Sequence, residues 1–168
     1  MVPRSEFTKK CLVEALLKMI RRGKTFEEIS IQEIVDEAGF SRMAYYRNFK
    51  EKAEILRYYF DLITNQFNKA TNTNFYVMSF EQYLVSVFTH LFNHRELSLI
   101  LLKTKMFDYV REQLDLKLIK TPETPEQKQH FIFFAGGVFN MYKYWLETDG
   151  KETPEEMAHI VANYIPRP

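Results

Sequence analysis

The chain has 168 residues, 46% of them hydrophobic and 27% charged, a composition that excludes a disordered chain and is typical of a soluble globular protein. Its single cysteine excludes an internal disulfide, so we expect a reducing, cytoplasmic location. The net charge of +1 excludes a strongly basic protein, although residues 1–58 carry 12 Lys/Arg against 9 Asp/Glu and so weakly favour a polyanionic partner.

Apolar residues recur at helical spacing along the chain, and no segment shows sustained alternation of period two. The pattern therefore predicts an all-α fold of about nine helices. The first helix has an apolar stripe that includes Phe7, Leu12, Leu16 and Met19, and Gly23 ends it.

Local sequence signals mark the ends of the second helix and the start of the third. Ser30 and Glu33 have the spacing of a capping box, in which each side chain accepts a backbone N–H of the other residue. Gly39 ends the second helix, because glycine adopts the left-handed conformation without steric cost. Ser41 can cap a third helix of about two turns. Two helices joined in this way have the spacing of a helix-turn-helix, whose second helix can enter the major groove of DNA.

Six further helices are predicted downstream. Five of them have the approximate bounds 51–71, 79–93, 106–120, 125–148 and 154–165. The remaining one lies between the second and third of these and contains LSLILL at 97–102. Ser79 and Gln82 repeat the capping-box spacing. The segment TPETP at 121–125 interrupts the helical pattern, because proline cannot continue a helix from inside. No apolar run reaches the roughly 20 residues that cross a bilayer, so we expect no membrane partner.

The third helix and its surroundings carry side chains suited to DNA. Arginine donates two parallel N–H bonds to guanine, asparagine pairs with adenine, and small apolar groups contact the thymine methyl group. Candidate base contacts are Arg42, Met43, Ala44 and Asn48, and candidate phosphate contacts are Tyr46 and Lys52. Helix–turn–helix pairs with surface cations also occur in helical proteins that bind no nucleic acid, so this pattern alone leaves both interpretations open.

The stretch ISIQEIVDEAGFSRMAYYRNFKEKAEIL (residues 29–56) resembles the N-terminal domain of the TetR family of transcriptional regulators. The positions that agree in one register, within about residues 8–58, are Ile31, Ile34, Ala38, Gly39, Ser41, Tyr46, Phe49, Lys52 and Leu56. The resemblance implies a DNA-binding domain at residues 1–50 and a regulatory, ligand-binding and dimerisation domain at residues 51–168. It also implies that the side chains facing DNA are Ser30, Ser41, Arg42, Met43, Ala44, Tyr46, Asn48 and Lys52.

Some positions depart from the usual pattern of the family. Tyr45 stands where the family usually has leucine or phenylalanine, and we expect it in the small core. Lys50-Glu51 replaces a frequent proline-serine, and Asn48 replaces a frequent aromatic residue or histidine. These changes leave the fold prediction intact and make the operator sequence unpredictable.

The resemblance implies that the second domain binds a small effector. Aromatic and flexible side chains suit a mostly apolar pocket for an apolar or aromatic molecule. The candidate lining residues are Tyr83, Phe88, Met106, Phe107, Phe134, Met141, Tyr142 and Trp145. The alternative is that most of them are core residues with no ligand.

The eighth predicted helix is apolar nearly all round, so it must be covered on more than one side. Two adjacent glycines inside it cost about 1 kcal/mol each relative to alanine, which favours a close approach of another backbone or a ligand. The resemblance implies a homodimer built from the last two helices of each subunit, with candidate interface residues Gly136, Gly137, Asn140, Tyr144, Ile160 and Tyr164. The alternative is an internal core helix.

Residue patterns typical of enzymes are weak. His90 and His94 lie four residues apart, but no cysteine or nearby carboxylate completes a metal site, so we interpret them as a partly exposed pair at a helix end. Glu156 and His159 have the spacing of one di-iron ligand pair, but no other histidine has a glutamate three residues before it. The sequence has no glycine-rich phosphate loop and no nucleophile elbow. We therefore expect no enzyme, no cofactor and no metal.

Together these patterns predict a cytoplasmic, homodimeric repressor that binds a palindromic double-stranded operator and is released by a small-molecule effector. Two alternatives stay open at this point. One is a regulator of the same fold that is controlled by a protein partner or has lost DNA binding, and the other is a helical-bundle metalloprotein.

Overall fold

The computed structural model describes residues 4–72, 79–118 and 124–164. Within these residues the chain forms nine α-helices and no strand, which confirms the all-α prediction. The helices are α1 (Arg4–Arg21), α2 (Ile31–Ala38), α3 (Arg42–Tyr46), α4 (Ala53–Asn72), α5 (Phe80–Asn93), α6 (Arg95–Lys103), α7 (Phe107–Leu118), α8 (Pro125–Glu147) and α9 (Pro154–Tyr164). The predicted interruption at 121–123 and the predicted helix ends at Lys120 and Ile165 lie outside the described residues.

The chain divides into two compact units, Met1–Asn65 and Gln66–Pro168. The first unit holds α1, α2, α3 and most of α4, and the second holds the end of α4 and the remaining helices. The functional boundary predicted after residue 50 stays a prediction.

The core of the first unit brings together residues from four helices. Leu12 and Leu16 of α1, Ile34 of α2, Tyr45 of α3 and Leu56 of α4 are all buried. Burying side chains of this size stabilises the folded state by about 1.5–3 kcal/mol each before the cost of ordering them. This small core packs against the inner side of α3, which contributes Tyr45 to it.

The first helix turns a slightly different face inward than its apolar stripe predicts. Phe7 is exposed, and Thr8 is buried in its place. Thr8 can be buried because its Oγ1 donates a hydrogen bond to the Arg4 carbonyl at 2.9 Å, so its hydroxyl is not left unsatisfied.

The caps of α2 agree with the local sequence signals. The Ser30 hydroxyl accepts the Glu33 N–H at 3.2 Å, and the Glu33 carboxylate accepts the Ser30 N–H at 2.8 Å. Gly39 ends the helix at φ +73°, where a side chain would be strained. Both predictions for α2 are confirmed.

In the second unit α5 packs along α9, and α7 packs against α8. Leu84 and Phe88 of α5, Leu101 of α6 and Ala158 of α9 are fully buried. The predicted capping box at the start of α5 is confirmed, with the Ser79 hydroxyl accepting the Gln82 N–H at 3.2 Å. Among the described residues no helix is both long and apolar enough to cross a bilayer.

Candidate nucleic-acid interface

Helix α3 is short and held at both ends. The Ser41 hydroxyl accepts the Ala44 N–H at 3.2 Å and so caps the start. Regular helix covers five residues, fewer than the two turns that the sequence suggests. Helical hydrogen bonding nevertheless continues past Tyr46, because the Phe49 N–H donates to the Tyr45 carbonyl at 2.9 Å. Helical hydrogen bonding therefore extends beyond the regular part of α3.

The inner side of α3 is fixed by Tyr45, which is fully buried as the sequence predicts. Its ring lies edge-on to Tyr46, with ring centroids 5.1 Å apart, and 6.1 Å from Phe49. Because the inner side is anchored, the positions on the other side of α3 are held outward.

The outer side of α3 combines cations with exposed apolar groups. Met43 is 66% exposed and Tyr46 is 51% exposed. Arg42 is exposed and has no hydrogen bond or ion pair to any described residue. The Arg47 guanidinium is also exposed, and its only polar contact within the described part of the chain is to the Met43 sulfur at 3.3 Å. Free arginines beside large exposed side chains are typical of a surface that binds a partner.

Asn48 was predicted to pair with adenine, but its amide is used inside the first unit. Its Oδ1 accepts the Ser5 hydroxyl at 2.7 Å, and its Nδ2 donates to the Ala44 carbonyl at 2.7 Å. These bonds tie the first turn of α1 to the end of α3. The amide would have to leave both partners to read a base.

Lys52 was predicted to contact phosphate, and the structure gives its ammonium three internal partners. The ammonium donates to the carbonyls of Phe26, of Glu27 at 3.3 Å and of Ile29 at 2.7 Å. It also lies 4.4 Å from the centre of the Phe26 ring. Burial lowers the pKa of Lys52 below its usual range, although nearby glutamates oppose that shift. An ammonium has three N–H donors, so this lysine has none left for a phosphate in the present arrangement.

Several other cations near α2 are neutralised locally. Lys18 and Arg22 both pair with Glu37, at 2.5 and 2.9 Å. Lys24 pairs with Glu33 at 2.5 Å, and this bond, followed by the Ser30 N–H and hydroxyl, lowers the pKa of Glu33 to about 2. The Ser30 hydroxyl is exposed but already serves the helix cap. The positive charge available to a polyanion therefore concentrates on α3 rather than on α2.

A groove of about 360 Å³ runs beside α3 within the first unit. Its lining residues are Arg4, Ser5, Thr8, Phe40, Ala44, Arg47 and Asn48. Arg4 and Arg47 are exposed and lie 43 positions apart in the sequence, so no local pattern pairs them. Neither arginine is in the sequence-based set of DNA contacts. The only signal in the sequence is a basic residue at the start of α1 and another directly after α3.

The buried hydroxyl of Tyr45 leads to a prediction on stability. Its Oη is buried and has no hydrogen-bond partner among the described residues, and burial raises the pKa of this phenol to about 12. Replacing Tyr45 by phenylalanine removes an unsatisfied polar atom and keeps the ring, so the free energy of unfolding should rise by about 1 kcal/mol. Urea unfolding of wild type, Tyr45→Phe and the exposed control Tyr46→Phe measures this. The control should change stability by less than about 0.5 kcal/mol. A loss of stability in Tyr45→Phe would show that the hydroxyl has a partner.

In the second unit most of the predicted effector residues are core residues. Phe88, Phe107, Phe134, Tyr142 and Trp145 are buried. They pack on aromatic neighbours, for example with the rings of Phe107 and Tyr142 centred 6.3 Å apart and those of Phe88 and Trp145 5.9 Å apart. Tyr83, Met106 and Met141 are half-buried. Burial places most of these side chains in the core of the second unit.

A depression of about 250 Å³ lies at one end of the second unit. It is lined by Phe92, Arg95, Leu99, Trp145, Leu146, Asp149 and Gly150. Trp145 is the one residue it shares with the predicted pocket. The Trp145 indole N–H donates to the Glu152 carbonyl at 3.1 Å, and a Cβ at Gly150 would come within 3.3 Å of the same nitrogen. The indole is therefore fixed in place at this surface.

The predicted dimer residues on α8 and α9 are partly exposed and partly half-buried, with Gly136, Gly137 and Ile160 half-buried. Tyr144 is 60% exposed, Tyr164 is 81% exposed, and Asn140 is exposed. Phe133, which is not in the sequence-based set, is exposed on the same side of α8 as Asn140 and Tyr144, because the three are spaced at helical intervals. Gly136 is half-buried, and among the described residues a Cβ added there would meet no atom within 4 Å other than its chain neighbours and the nearby backbone of its own helix.

The described residues contain no group of three or more His, Cys, Asp or Glu side chains that could hold a metal ion. His159 pairs with Glu81 at 3.2 Å. The Glu156 carboxylate accepts the Thr153 N–H at 2.7 Å and so acts at the start of α9. Glu156 and His159 therefore have different partners, which gives no support to their interpretation as a di-iron ligand pair.

Comparisons with known proteins agree with the fold. Residues 78–167 match the family model TetR_C_8, described as "Transcriptional regulator C-terminal region". The structure of a TetR transcriptional regulator from Streptococcus agalactiae 2603V superposes with a TM-score of 0.65 at 19% identity, covering 98% of this chain and 96% of that chain. No curated protein matches the chain. Since the family model spans more than half of the sequence, the chain belongs to the TetR family of transcriptional regulators.

Proposed function

We propose that this protein is a cytoplasmic, homodimeric repressor that binds a palindromic DNA operator through α3. The observation that carries the proposal is the outer side of α3, where Arg42 and Arg47 are exposed and the helix is anchored from behind by Tyr45. A rigid helix of this kind can hold side chains against base edges, while cations around it bind phosphates and set the register.

The contacts divide by chemistry. Arg42 would read guanine, and Met43 and Ala44 would contact thymine methyl groups. Tyr46, Arg47 and Arg4 would bind phosphates on either side, and Ser30 and Ser41 lie at the two helix starts that face the same duplex. Fluorescence anisotropy with labelled duplexes at several salt concentrations tests this proposal. Affinity that falls steeply with salt supports it, and the absence of salt-dependent affinity for any duplex would favour control through a protein partner instead.

The exposed aromatic side chains of α8 and α9 support a homodimer in which these helices meet their symmetry mates. Aromatic side chains such as Phe133 and Tyr144 would lose their contact with water there. Gly136, Gly137 and Asn140 would let the two α8 backbones approach, and Ile160 and Tyr164 would extend the interface along α9.

The substitution Gly136→Leu distinguishes this dimer from a monomer, because it should stabilise a monomer and destabilise the dimer. In a monomer the change should stabilise α8 by roughly 1 kcal/mol, because leucine favours helix over glycine and no described residue of another helix lies within 4 Å of the new Cβ. In the dimer the side chain should overpack the interface by about 1–3 kcal/mol and raise the dimer dissociation constant roughly 5- to 150-fold. Sedimentation equilibrium measures the constant, and Gly136→Ala is the graded control with a smaller effect. A wild-type monomer at micromolar concentration contradicts the proposal.

Release from DNA would follow binding of a small apolar or aromatic effector in the second unit. The aromatic residues around Tyr142 and the depression at Phe92 and Trp145 are its candidate sites. Screening metabolites for a rise in melting temperature tests this part, since a ligand that binds only the folded state stabilises it. A ligand that shifts melting but leaves DNA affinity unchanged would bind without acting as an effector.

A further inference from the structure

Two histidines of the second unit lie side by side at the junction of α5 and α6. His90 is on the last turn of α5, and His94 follows the helix directly. The His94 N–H donates to the His90 carbonyl at 3.2 Å, so a complete helical turn joins the two residues and puts both side chains on one face. Their ring centroids are 4.7 Å apart, with the ring planes 58° apart.

This centroid separation lies at the short end of the range for two imidazoles bound to one metal ion. With metal–nitrogen bonds of about 2.1 Å, each ring centroid lies roughly 3.3 Å from the ion, so rings bound at about 90–110° have centroids roughly 4.7–5.4 Å apart. Two histidines spaced four residues apart on a helix are the arrangement by which helical metal sites supply two ligands from one element.

The two imidazoles are also available as ligands. Their ring nitrogens make no hydrogen bond or ion pair to any described residue, and both side chains are only half-buried, so water and ions reach them. The ring of Phe67 stacks on His90 at 4.5 Å and limits its rotation. Burial and the neighbouring His94 lower the pKa of His90 to about 4, and burial lowers the pKa of His94.

We propose that His90 and His94 together bind one divalent first-row transition-metal ion, with water in the remaining positions. Imidazole nitrogens select nickel, copper and zinc over magnesium and calcium, which prefer oxygen ligands. Two protein ligands make a weaker site than the four of a structural zinc centre, so occupancy would follow the supply of metal. The proposal is independent of DNA binding.

Titration of the untagged full-length protein with Ni²⁺ tests the proposal, with Mg²⁺ as the negative control. We expect one Ni²⁺ per chain in wild type, and at least a 10-fold loss of affinity in His90→Gln and in His94→Gln, because even residues that only support a metal ligand change affinity by about 10–100-fold. The matched control is the double variant His130→Gln/His159→Gln, which removes the other two histidines and should bind as wild type does.

A second measurement uses the unaltered chain, so it does not depend on any variant folding. Diethyl pyrocarbonate modifies free imidazoles, and mass mapping reports which ones react. Ni²⁺ should protect His90 and His94 and leave His130 and His159 reactive. Equal protection of all four histidines, no protection, or Ni²⁺ affinity that depends on the His130/His159 pair would overturn the proposal.

Discussion

Replacing Lys52 by methionine should lower the free energy of unfolding by about 2–3 kcal/mol and leave the salt dependence of DNA binding unchanged. The ammonium donates to three backbone carbonyls in the loop before α2, and methionine fills similar space without any donor. Buried acceptors left without a partner cost about 1–3 kcal/mol, less where water reaches them. Chemical unfolding measures the first effect, and anisotropy titrations at several salt concentrations measure the second.

If Lys52 instead contacts a phosphate, as the sequence predicts, Lys52→Met should change the salt dependence of DNA binding and not the stability. A lost phosphate contact should flatten the slope of log affinity against log salt by roughly 1 per subunit with little change in stability. Lys50→Met is the matched control, because Lys50 is an exposed lysine two residues away that has no hydrogen bond from its ammonium to the described residues. A flattened slope in Lys52→Met with wild-type stability would show that Lys52 leaves its carbonyls to bind DNA.

Arg42→Ala should weaken binding to the operator by about 1–3 kcal/mol and relax base preference at one position in each half-site. The guanidinium is exposed and unpaired among the described residues, so its removal costs the fold little and the loss is confined to DNA. Titrations against an operator and a scrambled duplex measure both effects. Arg111→Ala on α7 is the control, an exposed arginine of the second unit that should leave DNA binding unchanged.

Arg47→Ala separates the two kinds of contact on the same helix. A phosphate contact should weaken the operator and the scrambled duplex alike and flatten the salt slope by roughly 1 per subunit. If Arg42→Ala leaves base preference untouched, α3 does not read the major groove through this residue.

Helix boundaries could be predicted from the sequence where the responsible contact is local. The Ser30–Glu33 and Ser79–Gln82 caps each join residues three positions apart, so the spacing alone shows them. Gly39 is equally local, because its backbone conformation depends on its own missing side chain.

Roles that depend on distant partners could not be predicted in this way. The Lys52 ammonium binds carbonyls 23–26 residues earlier in the chain, and backbone carbonyls leave no mark in a sequence. Asn48 is held by Ser5, which lies 43 residues away. Phe7 fits a helical stripe, yet the packing of α1 buries Thr8 instead. Composition likewise shows that the second unit is rich in aromatic residues, but it does not show which of them pack on one another.

Selection of bound duplexes from a random DNA pool by the full-length protein tests whether α3 is the DNA-reading helix of a homodimer. We expect enrichment of a palindrome whose half-site centres lie about 34–36 Å apart, or close to that spacing, since a two-fold dimer presents two copies of α3 one helical turn apart. The enriched duplex should lose affinity as salt rises and discriminate less when Arg42 is alanine. A pool that shows no enrichment, or an enriched sequence without two-fold symmetry, would contradict the assignment of α3 as the DNA-reading helix of a homodimer.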